Sequence, residues 1–121
     1  MRIEWKKTIG ISSRHDSQLR VIKDALDFVT ETVTYKFCLS YALTYDLPEN
    51  SGHQDQRGTK WASGNFDENE EVSLLLRALY PENIDHQTLM MAKAEAGIGK
   101  IHDMIEKLEI TSLSGLFDAT A

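Results

Sequence analysis

The chain has 121 residues, a formal net charge of −6, 41% hydrophobic and 26% charged residues, and one cysteine, Cys38. A chain of this size buries roughly two-thirds of its unfolded surface, so a single helical domain over residues 1–121 is expected and disorder throughout is excluded. One thiol rules out an intramolecular disulfide or a cysteine-only zinc site within the chain.

Neither a signal-peptide apolar stretch in Met1–Lys7 nor an apolar run of the ~18 residues a membrane span needs is present. The expectation is a cytoplasmic protein with no membrane partner. Charge is split along the chain. Residues 1–23 hold six basic and two acidic groups, for +4, whereas residues 24–121 hold seven basic and seventeen acidic ones, for −10. A basic end on an acidic body suits a nucleic-acid contact confined to that end or head-to-tail self-association, and argues against a protein that coats DNA.

Residues 2–11 alternate, with Ile3, Trp5, Ile9 and Ile11 on one side and Arg2, Glu4, Lys6 and Thr8 on the other. That period of two predicts a strand, weakened at its end by Gly10. No second strand is evident, so its partner is expected from another copy of the chain, unless the segment packs as an extended arm. Ser12 or Ser13 caps a first helix running to about residue 28, with Leu19, Ile22, Leu26 and Val29 as its stripe.

Thr30 or Thr32 caps a second helix that Pro48 stops. Val33, Phe37, Tyr41, Ala42 and Tyr45 make one apolar face, and Leu39 and Leu43 a second flank. Inside it, Cys38 reads as a buried small hydrophobe. Residues 46–66 show no sustained period and read as a long loop whose end is tucked onto the core by Trp61 and Phe66.

Asp67 and Glu70 have capping-box spacing before a third helix with the stripe Val72, Leu75, Leu76 and Leu79, ended by Pro81. The longest periodic stretch, His86 to Leu108, turns Leu89, Ala92, Ala96, Ile101, Met104 or Ile105, and Leu108 inward. Gly97 and Gly99 inside it cost about 0.8–1 kcal/mol each relative to alanine, which signals close helix packing or a break. The tail, residues 111–121, can form a short helix capped by Ser112.

Catalytic signatures are missing. His15, His53, His86 and His102 include no zinc-helix pair, and His102 with Glu106 is one histidine and one carboxylate on a shared face, too little for a metal site. Arg57-Gly58-Thr59-Lys60 lacks the earlier glycine of a phosphate loop, and Ser63-Gly64 lacks the glycine before it that a nucleophile elbow needs. The expectation is a non-enzymatic protein with no cofactor and no metal.

The succession of a short basic strand, a helix, an aromatic-rich helix from Val33 to Leu47, the loop with Gly58-Thr59-Lys60-Trp61, an acidic-capped leucine helix and a late Ala96-Gly97-Ile98 segment resembles DndE. DndE is the small accessory protein of bacterial DNA phosphorothioation systems, and the resemblance covers roughly residues 6–107. It implies a mainly α fold, a small bundle of four to five helices whose N-terminal strand and first two helices resemble a ribbon-helix-helix arrangement. It also implies self-association, partner proteins of a defence system, and DNA contact through basic residues, here Lys6, Lys7, Arg14, Arg20, Lys23, Arg57 and Lys60. The −10 body departs from that pattern, since it repels a duplex except where the basic end leads.

The function expected is an accessory subunit of a prokaryotic DNA-modification or anti-phage defence system. The alternative is a helical adaptor for an ATPase or effector, without nucleic acid. For protein contact the candidates are Tyr35, Tyr41 and Tyr45 on the aromatic helix and Leu113, Leu116 and Phe117 in the tail.

Overall fold

The structure, a computed structural model, describes residues 5–49, 57–82 and 84–120, with residues 117–120 described by backbone alone. Its elements are β1 (Thr8–Ser12), α1 (Ser13–Ala25), α2 (Glu31–Thr44), β2 (Arg57–Ala62), α3 (Ser63–Phe66), α4 (Glu71–Leu79), α5 (His86–Glu106) and α6 (Leu113–Thr120). The mainly helical class and the N-terminal strand stand as expected. Among the described residues six helices replace the expected four to five, because the single turn α3 forms where sequence suggested loop.

The strand's partner is the main correction. β1 pairs antiparallel with β2 of the same chain, so a second copy is not what completes it. The sequence carries no strand signal for this partner, because Arg57-Gly58-Thr59-Lys60-Trp61-Ala62 is half exposed and lacks apolar alternation. The register runs Thr8 to Ala62 and Ile9 to Trp61, slips at Ile9/Gly10, and continues to Ser12 opposite Arg57. Gly10 belongs inside the ladder, since a Cβ there would sit 3.1 Å from Arg57 Cβ and 3.2 Å from the Gly58 carbonyl oxygen. Of the alternating residues, Ile9 and Ile11 are buried, while Arg2, Ile3 and Glu4 lie outside the described residues.

The other edge of β1 faces α5, whose side chains take over its backbone groups. Gln87 accepts from the Lys6 amide at 2.7 Å and donates to the Thr8 carbonyl at 2.9 Å. Two turns on, about 12 Å along the axis, Glu95 accepts from the Ser12 amide at 3.1 Å. Polar helix positions thereby satisfy donors and acceptors that a third strand would otherwise take.

The starts of α1 and α2 and the end of α4 ahead of Pro81 follow the sequence, while three other helix ends do not. Ser12, Thr30 and Asp85 cap α1, α2 and α5 by accepting the amides of His15, Val33 and Thr88. The Thr88 hydroxyl and amide hold the Asp85 carboxyl below its ordinary value. This contribution is full above the unfolded-state carboxyl pKa and is lost as pH falls through the lowered one. Three helices stop on non-glycine residues with positive φ: Asp27 at 58°, Asp46 at 47° and Leu108 at 57°. In each, the following amide reaches back five residues, Phe28 to Lys23, Leu47 to Ala42 and Glu109 to Met104, each at 2.9 Å, as in a Schellman stop. α1 thus ends at Ala25 rather than near residue 28, and Leu108 turns outward at 80% exposure.

The expected capping box at Asp67 is also revised. Glu70 takes the N-cap position with φ 58°, while Asp67 reaches the helix from a distance, accepting the Val72 and Ser73 amides at 2.9 and 3.0 Å. One carboxylate still occupies the positive end of the helix.

The centre is α5 between α1 and α2. Gly97 lets α2 approach so closely that an added Cβ would lie 2.1 Å from the Cys38 carbonyl oxygen. Close packing is thus the role of this glycine. Cys38 is fully buried, and burial pushes its thiol far above the usual range, so it packs as a hydrophobe and does not supply a thiolate. Trp61 and Phe66 sit on the core as expected, their rings 5.0 and 5.5 Å from that of Tyr35. The buried face of α2 is rotated, with Thr34, Tyr35, Cys38, Leu39, Tyr41 and Ala42 inside and Val33 48% exposed. On α5 the expected Ala92, Ile101 and Met104 are buried, joined by Met90, Ala94 and Ile98, while Leu89 and Ala96 are only partly covered.

Candidate functional site

The basic residues singled out by sequence separate into two groups. Arg57, whose side chain is 6% exposed, donates through Nε at 3.0 Å and Nη2 at 2.6 Å to Glu95 Oε1. Lys60 bridges Asp16 at 2.5 Å and Glu31 at 3.1 Å, and Arg20 contacts the same two carboxylates at 2.6 and 3.4 Å. Lys23 lies 3.8 Å from Asp24. Arg57 and Lys60 tie β2 to α5 and to the α1–α2 corner, Arg20 links α1 to α2 with its side chain 59% exposed, and Lys23 only neighbours Asp24 within α1. Lys6, Lys7 and Arg14 are exposed.

The Arg57–Glu95 pair is the centre of a buried polar node. Ser12 and Arg57 face each other at the end of the ladder, and Glu95, with no exposed surface, bonds to both strands at once. Ser12 Oγ lies 2.6 Å from His15 Nδ1, and Glu95 Oε2 lies 3.8 Å from the same nitrogen. A Ser–His–carboxylate relay needs its serine and carboxylate on opposite ring nitrogens. Here both approach Nδ1, and Ser12 Oγ also accepts the His15 amide as helix cap. Burial, reinforced by the Glu95 charge, pushes the Tyr35 phenol far above its usual value and keeps it neutral. The geometry is that of a clamp on the sheet end. It lies beside a cleft of about 480 Å³ whose lining includes Arg14, Gln18, Lys100 and Asp103.

A second buried cation, Lys93, donates to Asp46 Oδ1 at 3.1 Å and to the Leu47 carbonyl at 2.6 Å, fastening the end of α2 to α5. Sequence reasoning passed over Lys93, Glu95 and Gln87 because polar residues count against a core-facing stripe. For Lys93 and Glu95 the available signal was their setting among small residues, Ala92, Ala94, Ala96 and Gly97, which lets a helix sink deeply enough for such side chains to meet partners.

Among the residues expected to meet other proteins, Tyr35 and Leu116 have no exposed surface and Tyr41 is 4% exposed, so these three build the core. Tyr45 is 40% and Leu113 37% exposed, and the Phe117 side chain lies outside those described.

A more exposed apolar surface lies on α4. Val72 and Leu76 are buried as expected, but Leu75 is 39% and Leu79 49% exposed, and Leu74, outside the expected stripe, is 62% exposed. Leu74 and Ala78, and Leu75 and Leu79, form two neighbouring i, i+4 rows on the outward side. Two clefts run along this helix. One of about 580 Å³ is lined by Trp5, Gly64, Glu68 and Arg77 among others, and one of about 330 Å³ by Leu74, Arg77, Ala78, Tyr80 and Pro81. Arg77 lines both, and the second, walled by Leu74 and Ala78, is the α4 trough.

No family model, curated protein or solved structure matches this chain. Among the described residues no helix is long and apolar enough to cross a membrane, and no group of three or more histidine, cysteine or acidic side chains is placed to hold a metal ion.

Proposed function

We propose that this chain is a non-enzymatic accessory subunit that works by assembling with other proteins, with the outward face of α4 as its docking surface. The observation that carries this reading is the exposure of Leu74, Leu75 and Leu79 on one short helix. A helix apolar around most of its circumference is normally covered, and contiguous exposed apolar patches mark interaction sites. The setting in a prokaryotic DNA-modification or anti-phage defence system, and self-association, rest on the resemblance to DndE. The adaptor reading, without nucleic acid, gains support because Arg20, Lys23, Arg57 and Lys60 lie close to carboxylates of the same chain.

The test is a photo-crosslinking residue placed at Leu74 in the native host. The expected product is an adduct with a protein encoded beside this one. Labelling no stronger than from the exposed control position Lys107, just past α5, would remove the docking surface.

DNA contact is a second reading, favoured by the exposure of Lys6, Lys7 and Arg14. If duplex DNA is a ligand, reversing these three to glutamate abolishes binding and flattens its salt dependence, as counterion release requires. Fluorescence anisotropy with a labelled duplex measures both, and wild-type protein that fails to bind at low salt ends this branch.

A further inference from the structure

We infer that the α4 trough receives an amphipathic helix with basic flanks, supplied by a different protein. The inference rests on the docking surface proposed above and specifies its occupant.

Shape argues for a helix. Leu74–Ala78 and Leu75–Leu79 are parallel i±4 rows, and rows of this kind interlock with the matching rows of a second helix, side-chain ridges entering grooves. Ala78, small between larger neighbours, leaves a hollow that can take an entering side chain, and Tyr80 and Pro81 line its far end. The nine residues of α4 present about two and a half turns, or about 13 Å, to such a partner.

Charge argues for its flanks. Glu68 and Glu71 stand exposed at the start of α4, Glu71 one turn before Leu74 and Leu75 on the same side, and Glu82 stands exposed just past its end. A segment with lysine or arginine beside its apolar stripe would meet opposite charge at both ends of the trough. The same acids discriminate against other occupants. An anionic lipid surface would be repelled. A second copy docked face to face through a two-fold axis would set its own acidic rim against this one.

The test uses two fluorescein-labelled peptides of about 18 residues, long enough to hold a helix when docked. They share a leucine stripe and differ in having lysine or glutamate elsewhere. Anisotropy titration of the full chain should show the lysine peptide binding at least about tenfold more tightly than the glutamate peptide, equivalent to about 1.4 kcal/mol. The L74D/L79D protein should lose that binding with its circular dichroism unchanged. The E68Q/E71Q/E82Q protein should lose the preference for lysine, while D103N/E106Q, on the far end of α5, should keep it.

If both peptides bind equally and L74D/L79D loses both, the basic flanks are wrong and the docking surface stands. If L74D/L79D binds as wild type does, the docking surface falls as well. If sedimentation shows a wild-type dimer that L74D/L79D dissolves, the occupant is a second copy and the inference is overturned.

Discussion

Helices α5 and α4 invert the usual assignment of side chains to core and water. α5 buries His86, Gln87, Lys93 and Glu95, whereas α4 carries four leucines and exposes Leu74, Leu75 and Leu79. The physical distinction is whether each group has found its complement. Every polar side chain just named in α5 meets a specific partner: Gln87 the edge of β1, Glu95 both strands, Lys93 the end of α2, His86 the Tyr80 carbonyl at 2.6 Å. Burying a polar group is tolerable once it is hydrogen-bonded. The outward leucines of α4 have no comparable cover among the described residues. The buried polar face of α5 is therefore a finished interior, and the outward face of α4 an apolar surface left open to solvent.

The strongest way to break the α5 side of this contrast is Glu95→Ala. It leaves the Arg57 guanidinium buried without a counter-charge and the Ser12 amide without its acceptor, a combination expected to cost about 3–5 kcal/mol. Urea unfolding followed by circular dichroism should show that loss, and the double variant Glu95→Leu with Arg57→Met should recover most of it. A single-variant loss below about 1 kcal/mol would mean the clamp contributes little. Next in size is Gly97→Ala. Its methyl group would meet a backbone oxygen of α2, which cannot rotate away, so about 3 kcal/mol is expected, at the upper end for overpacking. Gly99→Ala is the matched control, because its Cβ would lie 4.0 Å from His15 Nε2, an ordinary contact. Equal effects at the two positions would contradict the close approach of α2.

These two predictions mark where sequence was informative and where it stopped. The caps Ser12 and Thr30 were legible because each acts on an amide three residues away, a local chemistry visible in the chain; Asp85 does the same for α5 but was not singled out. Gly97 was legible because a glycine inside a helix is costly without a reason. Helix stops were hidden because Asp27, Asp46 and Leu108 adopt the left-handed region without being glycine. β2 was hidden because its pairing lies between residues about fifty apart, and because Gln87 and Glu95, far along in α5, complete the sheet in place of further strands. The ionic partners of Arg20, Arg57 and Lys60 come from three different elements, α1, α2 and α5, so the sequence shows a basic set where folding makes a paired network. The same limitation placed Tyr35 on a binding face: helical spacing alone does not say which side of α2 meets α5.

The smallest expected effect on stability tests the α4 side. If Leu74 and Leu79 await a partner, the isolated chain gains little from them, and L74D/L79D should unfold within about 0.5 kcal/mol of wild type, as for surface substitutions elsewhere. Leu76→Ala supplies the internal comparison. Leu76 is fully buried one position from Leu75, and its truncation should cost the core value of about 2–5 kcal/mol. A strongly destabilised L74D/L79D protein would show that these leucines already pack within the fold, and would remove the reason to look for their complement elsewhere. An unchanged melt together with lost peptide binding would separate what α4 does for folding from what it does for assembly, a separation that the buried polar face of α5 does not offer.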